Sequence, residues 1–264
     1  MRPKSKISLC SLRSLAAKDA WPRRNAESAK FQHESECRFI LMKKWISNYL
    51  HRPFPNSFEE FKHAMISYSQ FGEDLLVQEI LGYERKDIFY IELGAYQPIS
   101  KSNTYIFYKR GGRGICVEPN PVASALWRRY RPRDIFIGKG VTGGASCRMG
   151  YVLDSGSGAQ NCFQSDAETE SAALLEMECI NIRELVADFL PTGQSLDLLS
   201  VDCEGMDIDL IKNFPFDLAR PKIVLVEDFD YSEESEIHRS MTNLGYEMKS
   251  YTKITKIFVE IKYQ

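Results

Sequence analysis

The chain has 264 residues, with 34 basic and 36 acidic side chains, 44% hydrophobic residues and 27% charged residues, proportions that exclude a disordered, collagen-like or coiled-coil protein. No run approaches the roughly 18 apolar residues that a membrane helix needs, so no transmembrane segment is predicted and a soluble, cytoplasmic protein is expected. Charge is uneven: residues 1–30 hold eight basic and two acidic residues, which leaves −8 on the other 234, and an acidic body argues against nucleic acid as the partner because phosphate neutralisation needs clustered Lys and Arg.

Residues 1–41 are basic and Ser-rich and are expected to form a disordered tail. Arg13 interrupts the apolar run Ile7 to Ala17, which disfavours a secretory signal. Met42, opening Met-Lys-Lys-Trp-Ile, is a candidate natural start. Residues 42–82 are expected to supply N-terminal helices. Ser57-Phe-Glu-Glu60 has capping-box spacing, and Ser69 can cap a second helix whose Leu76, Val77, Ile80 and Leu81 form a stripe ended by Gly82.

From residue 83 the pattern alternates. Strand Ile88 to Leu93 precedes helix Ser102 to Lys109, and strand Gly114 to Glu118 precedes a helix with Asn120 as its cap and Pro121 in its first turn. Strand Asp134 to Gly138 follows. Residues 139–178, rich in Gly, Ser and small polar residues, read as an inserted hairpin and loop with one strand from Cys147 to Leu153. Alternation resumes with helix Ile182 to Phe189, strand Leu196 to Val201, helix Met206 to Asn213, strand Ile223 to Glu227 and helix Ser232 to Asn243. Strands Tyr246 to Tyr251 and Ile254 to Ile261 close the chain. The result is a doubly wound α/β sheet in residues 83–264, with a terminal antiparallel strand and a helical N-terminal extension. The seven cysteines lack C-x-x-C spacing and fit free thiols in a reducing compartment. Trp127 with Arg128, Arg129 and Arg131 reads as one buried ring at a solvated helix end.

Ligands of such sheets sit beyond the carboxyl ends of the strands, and those ends are acidic here. They read Ile91-Glu-Leu-Gly-Ala-Tyr96, Val117-Glu-Pro-Asn120, Val201-Asp-Cys-Glu-Gly205 and Val226-Glu-Asp228. A ring of carboxylates serves a pyrophosphate poorly, and Gly94 stands alone where G-x-G-x-x-G would be needed, so a nicotinamide cofactor is disfavoured. S-adenosylmethionine, with a cationic centre, a ribose diol and no phosphate, fits better. Glu118 can accept both ribose hydroxyls, while Glu92, Gly94, Ala95 and Tyr96 can lie against the methionine half.

If a cofactor of this kind gives its methyl group to an acceptor that carries a proton, either a base or a metal must deal with that proton. Asp202 and Glu204 alternate at one strand end, with Cys203 opposite, and Asp228 ends the neighbouring strand. These three are the candidate catalytic residues and, in one version, ligands of Mg2+. In the other version Asp202 is the base or orients the acceptor, and Glu204 binds backbone N–H groups at the next helix start. His238 is expected to be a surface or packing residue.

Five segments in order, Ser69-Gln-Phe-Gly-Glu-Asp74, Ile91-Glu-Leu-Gly-Ala95 with Pro98, Ser102-Asn-Thr104, Gly114-Ile-Cys-Val-Glu-Pro-Asn-Pro121 and Leu199-Ser-Val-Asp-Cys-Glu-Gly205, resemble the FkbM family of S-adenosylmethionine-dependent methyltransferases. The resemblance spans about residues 67–261. It implies a class I methyltransferase (Rossmann-like) fold and O-methylation of a small-molecule or glycan acceptor, with sugar O-methyltransferases of the nodulation-factor fucose type among the relatives. It adds Gln70, Ser102, Asn103, Thr104, Asn120 and Asp202 to the expected cofactor set. Glu92 and Tyr96 depart from the family's usual Asp-Val-Gly-Ala-Asn. The alternative reading is a methyltransferase-like protein that binds a nucleoside or a partner without turnover.

Overall fold

The computed structural model describes residues 57–153, 162–164 and 173–263. The readings of residues 1–41 and of Met42 lie outside them. The chain divides into two compact units, residues 1–65 and 66–264. The first contributes α1 (Phe58–Lys62), whose Ser57 hydroxyl accepts the Glu60 N–H at 3.1 Å, as the capping-box spacing requires.

The second unit opens with α2 (Glu73–Leu81). Its N-cap is Gly72 at φ 93°, not Ser69, although the Ser69 hydroxyl does accept the Gly72 and Asp74 N–H groups. The chain continues through β1 (Phe89–Leu93), α3 (Tyr105–Lys109), β2 (Arg113–Val117), α4 (Ala123–Tyr130) and β3 (Ile135–Ile137). After β4 to β7 come α5 (Ile182–Phe189), β8 (Leu198–Val201), α6 (Asp207–Asn213), β9 (Ile223–Glu227), α7 (Glu236–Asn243), β10 (Tyr246–Tyr251) and β11 (Thr255–Glu260). Seven strands form the main sheet in the order β10-β11-β9-β8-β1-β2-β3; β11 runs antiparallel to both neighbours and every other pair is parallel.

The continuous apolar strands are explained by a core on each face. Successive residues of β1 and β9 alternate between the two cores: Phe89, Ile91, Leu93, Val224 and Val226 meet Ile182, Leu185, Leu210, Ile211 and Met241 of α5 to α7. Ile88, Tyr90, Ile223 and Leu225 meet Val77 and Leu81 of α2, Phe107 of α3 and Trp127 of α4.

Three local expectations are corrected. Asn120 does not cap α4 directly: its Oδ1 accepts the Val122 N–H at 3.0 Å in an Asx-type turn, and the helix starts at Ala123. The expected hairpin in residues 139–178 is a second sheet of four strands, β4 (Gly140–Thr142), β5 (Cys147–Leu153), β6 (Cys162–Gln164) and β7 (Ala173–Asn181), ordered β4-β7-β5-β6. Arg131 is not solvated. It is 1% exposed, stacks on Trp127 with its guanidinium carbon 4.5 Å from the ring centroid, and pairs with Asp134 at 2.6 Å and Glu92 at 3.5 Å.

Candidate active site

The carboxyl ends of β1, β2, β8 and β9 meet at a cleft of about 580 Å³, a size that suits a nucleoside-scale ligand. The turn after β1 makes it possible. Gly94 and Ala95 both donate to the Val117 carbonyl, at 3.0 and 2.9 Å, which bends the chain away from the sheet. Gly94 sits at φ 72°, and a Cβ there would lie 1.7 Å from the Asp202 carbonyl oxygen, so only glycine lets β1 and β8 end side by side.

Tyr96, at φ 45°, turns its N–H onto Glu118 Oε2 at 2.9 Å. The Asn120 N–H holds the other oxygen at 2.8 Å, and the Tyr151 hydroxyl approaches it at 3.4 Å. Glu118 is therefore 6% exposed, fixed in orientation, and left with lone pairs toward the cleft. Burial raises its pKa, while the two backbone donors and Tyr151 oppose the rise.

Of the residues expected to bind cofactor, Gln70, Gly94, Tyr96, Asn103, Glu118 and Asp202 line the cleft. Glu92 does not, and the expectation that it meets the methionine half is corrected. Its oxygens accept the Thr104 hydroxyl at 2.5 Å, the Asn103 N–H at 2.9 Å and the Ser102 hydroxyl at 3.3 Å, with Arg131 behind. Glu92, Ser102 and Thr104 thus form a buried clamp that presents Asn103, whose Nδ2 donates to Ser200 Oγ at 3.0 Å. Ala95 is core, and Asn120 acts through its N–H on Glu118.

Past the end of β8, Asp202 and Glu204 line the cleft, and so does Cys203. The strict alternation expected of a strand fails because the chain leaves β8 after Val201 and turns through Glu204 at φ 48° and Gly205 at φ 101°. Asp207, not Glu204, takes the backbone N–H groups at this turn, from Cys203 at 2.8 Å and Gly205 at 3.0 Å. Asp228 does not line the cleft; Lys256, 2% exposed, pairs with it at 2.9 Å. Among the described residues no group of three or more His, Cys, Asp or Glu side chains is arranged to hold a metal ion, so the Asp202, Glu204 and Asp228 set is not assembled as Mg2+ ligands. His238 is half-buried and packs edge-on against Phe258.

Glu227 takes the place expected of Asp228. The register that pairs Val201 with Val226 carries Asp202 alongside Glu227 at the strand ends. Burial first, then the charges of Asp207, Glu204, Glu92 and Glu73, push Asp202 up to about 7. Burial first, then Asp202, Asp207 and Glu204, push Glu227 up to about 8. The sequence signal for Glu227 was its position one residue past the shared Val, as in Leu-Ser-Val-Asp202 and Val-Leu-Val-Glu227. Glu73 and Tyr151 also line the cleft without having been singled out.

The strand order, with its antiparallel β11, and an acidic cleft at the carboxyl ends define a class I methyltransferase fold. The signature of the methyltransferase FkbM domain matches residues 92–248, and the chain belongs to this family of S-adenosylmethionine-dependent methyltransferases. Among curated proteins none matches this sequence. Solved structures that resemble it include a TehB-like SAM-dependent methyltransferase from Corynebacterium glutamicum, at 9% identity over 81% of this chain and 97% of that one, with a TM-score of 0.36. Fibrillarin from Aeropyrum pernix, solved with bound S-adenosyl-L-methionine, shows 13% identity over 71% of this chain and 72% of that one, with a TM-score of 0.37. No helix among the described residues is long and apolar enough to cross a membrane.

Proposed function

We propose that this chain transfers a methyl group from S-adenosylmethionine to a hydroxyl of a small-molecule acceptor, a carbohydrate-containing or natural-product compound, in the cytoplasm. The observation that carries the reading is Glu118, a carboxylate at the end of β2 held by two backbone N–H groups with lone pairs left toward the cleft. That arrangement suits a vicinal diol, whose two hydroxyls need two acceptors at fixed spacing. Bound S-adenosylmethionine supplies an activated methyl group on a sulfonium.

The protein's remaining tasks are alignment of the acceptor oxygen and removal of its proton. Asp202, raised to about 7, has a proton affinity matched to a base working near neutral pH. The acidic lining of Glu73, Glu118, Asp202, Glu204 and Glu227 favours a cationic cofactor and disfavours a polyphosphate or nucleic-acid phosphate. No Mg2+ is included, because Lys256 engages the third carboxylate of the expected ligand set.

Calorimetry with S-adenosylmethionine, S-adenosylhomocysteine and NAD tests the cofactor assignment. Glu118→Ala should weaken S-adenosylmethionine by about 1.5–3 kcal/mol, the range for lost hydrogen bonds to a charged acceptor. Unchanged affinity in a folded variant would remove Glu118 from the cofactor site. Release of labelled product with hydroxyl acceptors separates an enzyme from a binding protein.

A further inference from the structure

The buried carboxylates of this fold accept hydrogen bonds from their own chain. Glu73 takes the Phe71 N–H at 2.8 Å and the Thr252 hydroxyl at 2.6 Å; Asp74 takes the Tyr68 N–H at 2.7 Å. Asp197 takes the Phe89 N–H at 3.0 Å and Lys222 at 2.7 Å. Glu92, Glu118 and Asp207 are satisfied as described above. Glu227 departs from this pattern: it is 8% exposed, lines the cleft, and receives no hydrogen bond or ion pair from any described residue. The side chain of Asp202 beside it receives none either.

None of the three cations on the cleft lining bonds Asp202 or Glu227, and Lys101 acts on Glu204. Lys101 lies over the Tyr96 ring at 5.5 Å, Lys139 pairs with Glu178 at 3.0 Å, and Lys253 lies over the Phe71 ring at 5.5 Å. Glu227, buried, and Asp202, partly exposed on the cleft lining, stand side by side with no donor from the described residues, so the fold leaves their shared negative charge without a counter-charge. A positive charge on a ligand supplies one; a neutral ligand does not.

We propose that Asp202 and Glu227 together read the charge at the cofactor's sulfur, favouring the cationic methyl donor over the neutral thioether that remains after transfer, so that the pair promotes release of the spent cofactor. In that reaction the sulfur–carbon bond breaks with its electron pair retained on sulfur, a carbon–oxygen bond forms, and the hydroxyl proton leaves to the carboxylate base. The inference rests on the assignment of S-adenosylmethionine above and adds to it a pair of residues that sets the preference between donor and product.

The test is calorimetry of the full chain at pH 8.5, where both carboxyls are ionised, with S-adenosylmethionine and S-adenosylhomocysteine, which needs no acceptor. Glu227→Gln should weaken the donor about tenfold and leave the product within about twofold, and Asp202→Asn should shift the ratio in the same direction. Equal weakening of both ligands would mean a general polar or structural role, and no change in either would mean a pair that faces the acceptor alone; each result overturns the proposal. The wild-type protein provides an arm that does not depend on the variants folding. An analogue with an amine-bearing carbon in place of the sulfonium, cationic at neutral pH, should bind more tightly than S-adenosylhomocysteine, and equal or weaker binding overturns the proposal. A folded wild-type chain that binds none of the three ligands would instead refute the cofactor assignment, and the proposal with it.

Discussion

Asp202 and Glu227 are built into a position that costs the fold stability. A carboxyl group whose folded pKa is raised holds its proton more tightly in the folded than in the unfolded chain, where carboxyls titrate near ~4. Its ionisation therefore withdraws stability as pH rises from that value through about 7 for Asp202 and about 8 for Glu227. Glu227→Gln removes the ionisation. Its melting midpoint should exceed that of wild type at pH 8.5 by about 2–4 °C, which corresponds to roughly 1 kcal/mol for a domain of this size, and the difference should close at pH 5. An equal difference at both pH values would trace the effect to packing. Stability of this kind is commonly sacrificed at sites that serve a ligand.

At the scale of elements, Arg131 joins parts of the chain that are far apart in sequence. It follows the last turn of α4, pairs with Asp134 ahead of β3 and Glu92 of β1, and donates to Ser102 at 3.0 Å and Thr104 at 2.7 Å. Arg131→Met should destabilise the protein by about 3–5 kcal/mol, the usual consequence of leaving buried carboxylates without their cation; urea denaturation measures it. A loss below about 1 kcal/mol would show that Tyr90, at 2.8 Å from Asp134, and the clamp hydroxyls suffice alone. Sequence could not have revealed this role, because Arg-Arg-Tyr-Arg at a helix end reads as solvated charge. By contrast, α5, β9 and β10 were legible to the residue, since Asn181 caps the first with its Oδ1 at 2.8 Å from the Arg183 N–H and the strands are uniform apolar or alternating runs. The second sheet was missed for a physical reason too: β4 is three residues long, and its stability comes from pairing Gly140 with Cys179 nearly 40 residues later. In the cleft, the glycine turn and Glu118 were readable from strand-end position. The division of labour between Glu92 and Asn103, and between Asp207 and Glu204, depends on where a turn points its N–H groups, which spacing alone does not encode.

At the scale of the whole molecule, both sheets and both cores fall within residues 66–264. Deleting residues 1–41, which hold most of the basic excess, should therefore leave the thermal midpoint and the affinity for S-adenosylmethionine unchanged within error. A lower midpoint would show that this segment contributes to the folded body.

The place of β11 has a consequence for how the protein is made. β11 lies between β9 and β10 and pairs Thr255 with Glu227, yet it follows both in the chain. During synthesis, β9 leaves the ribosome with one edge unpaired, and β10 has no seat in the sheet until residues 255–260 have emerged. The wall of the cleft beside Glu227 is closed last, so a nascent chain holds an exposed sheet edge, the kind of surface that invites wrong pairings, until that late strand slides between two earlier ones.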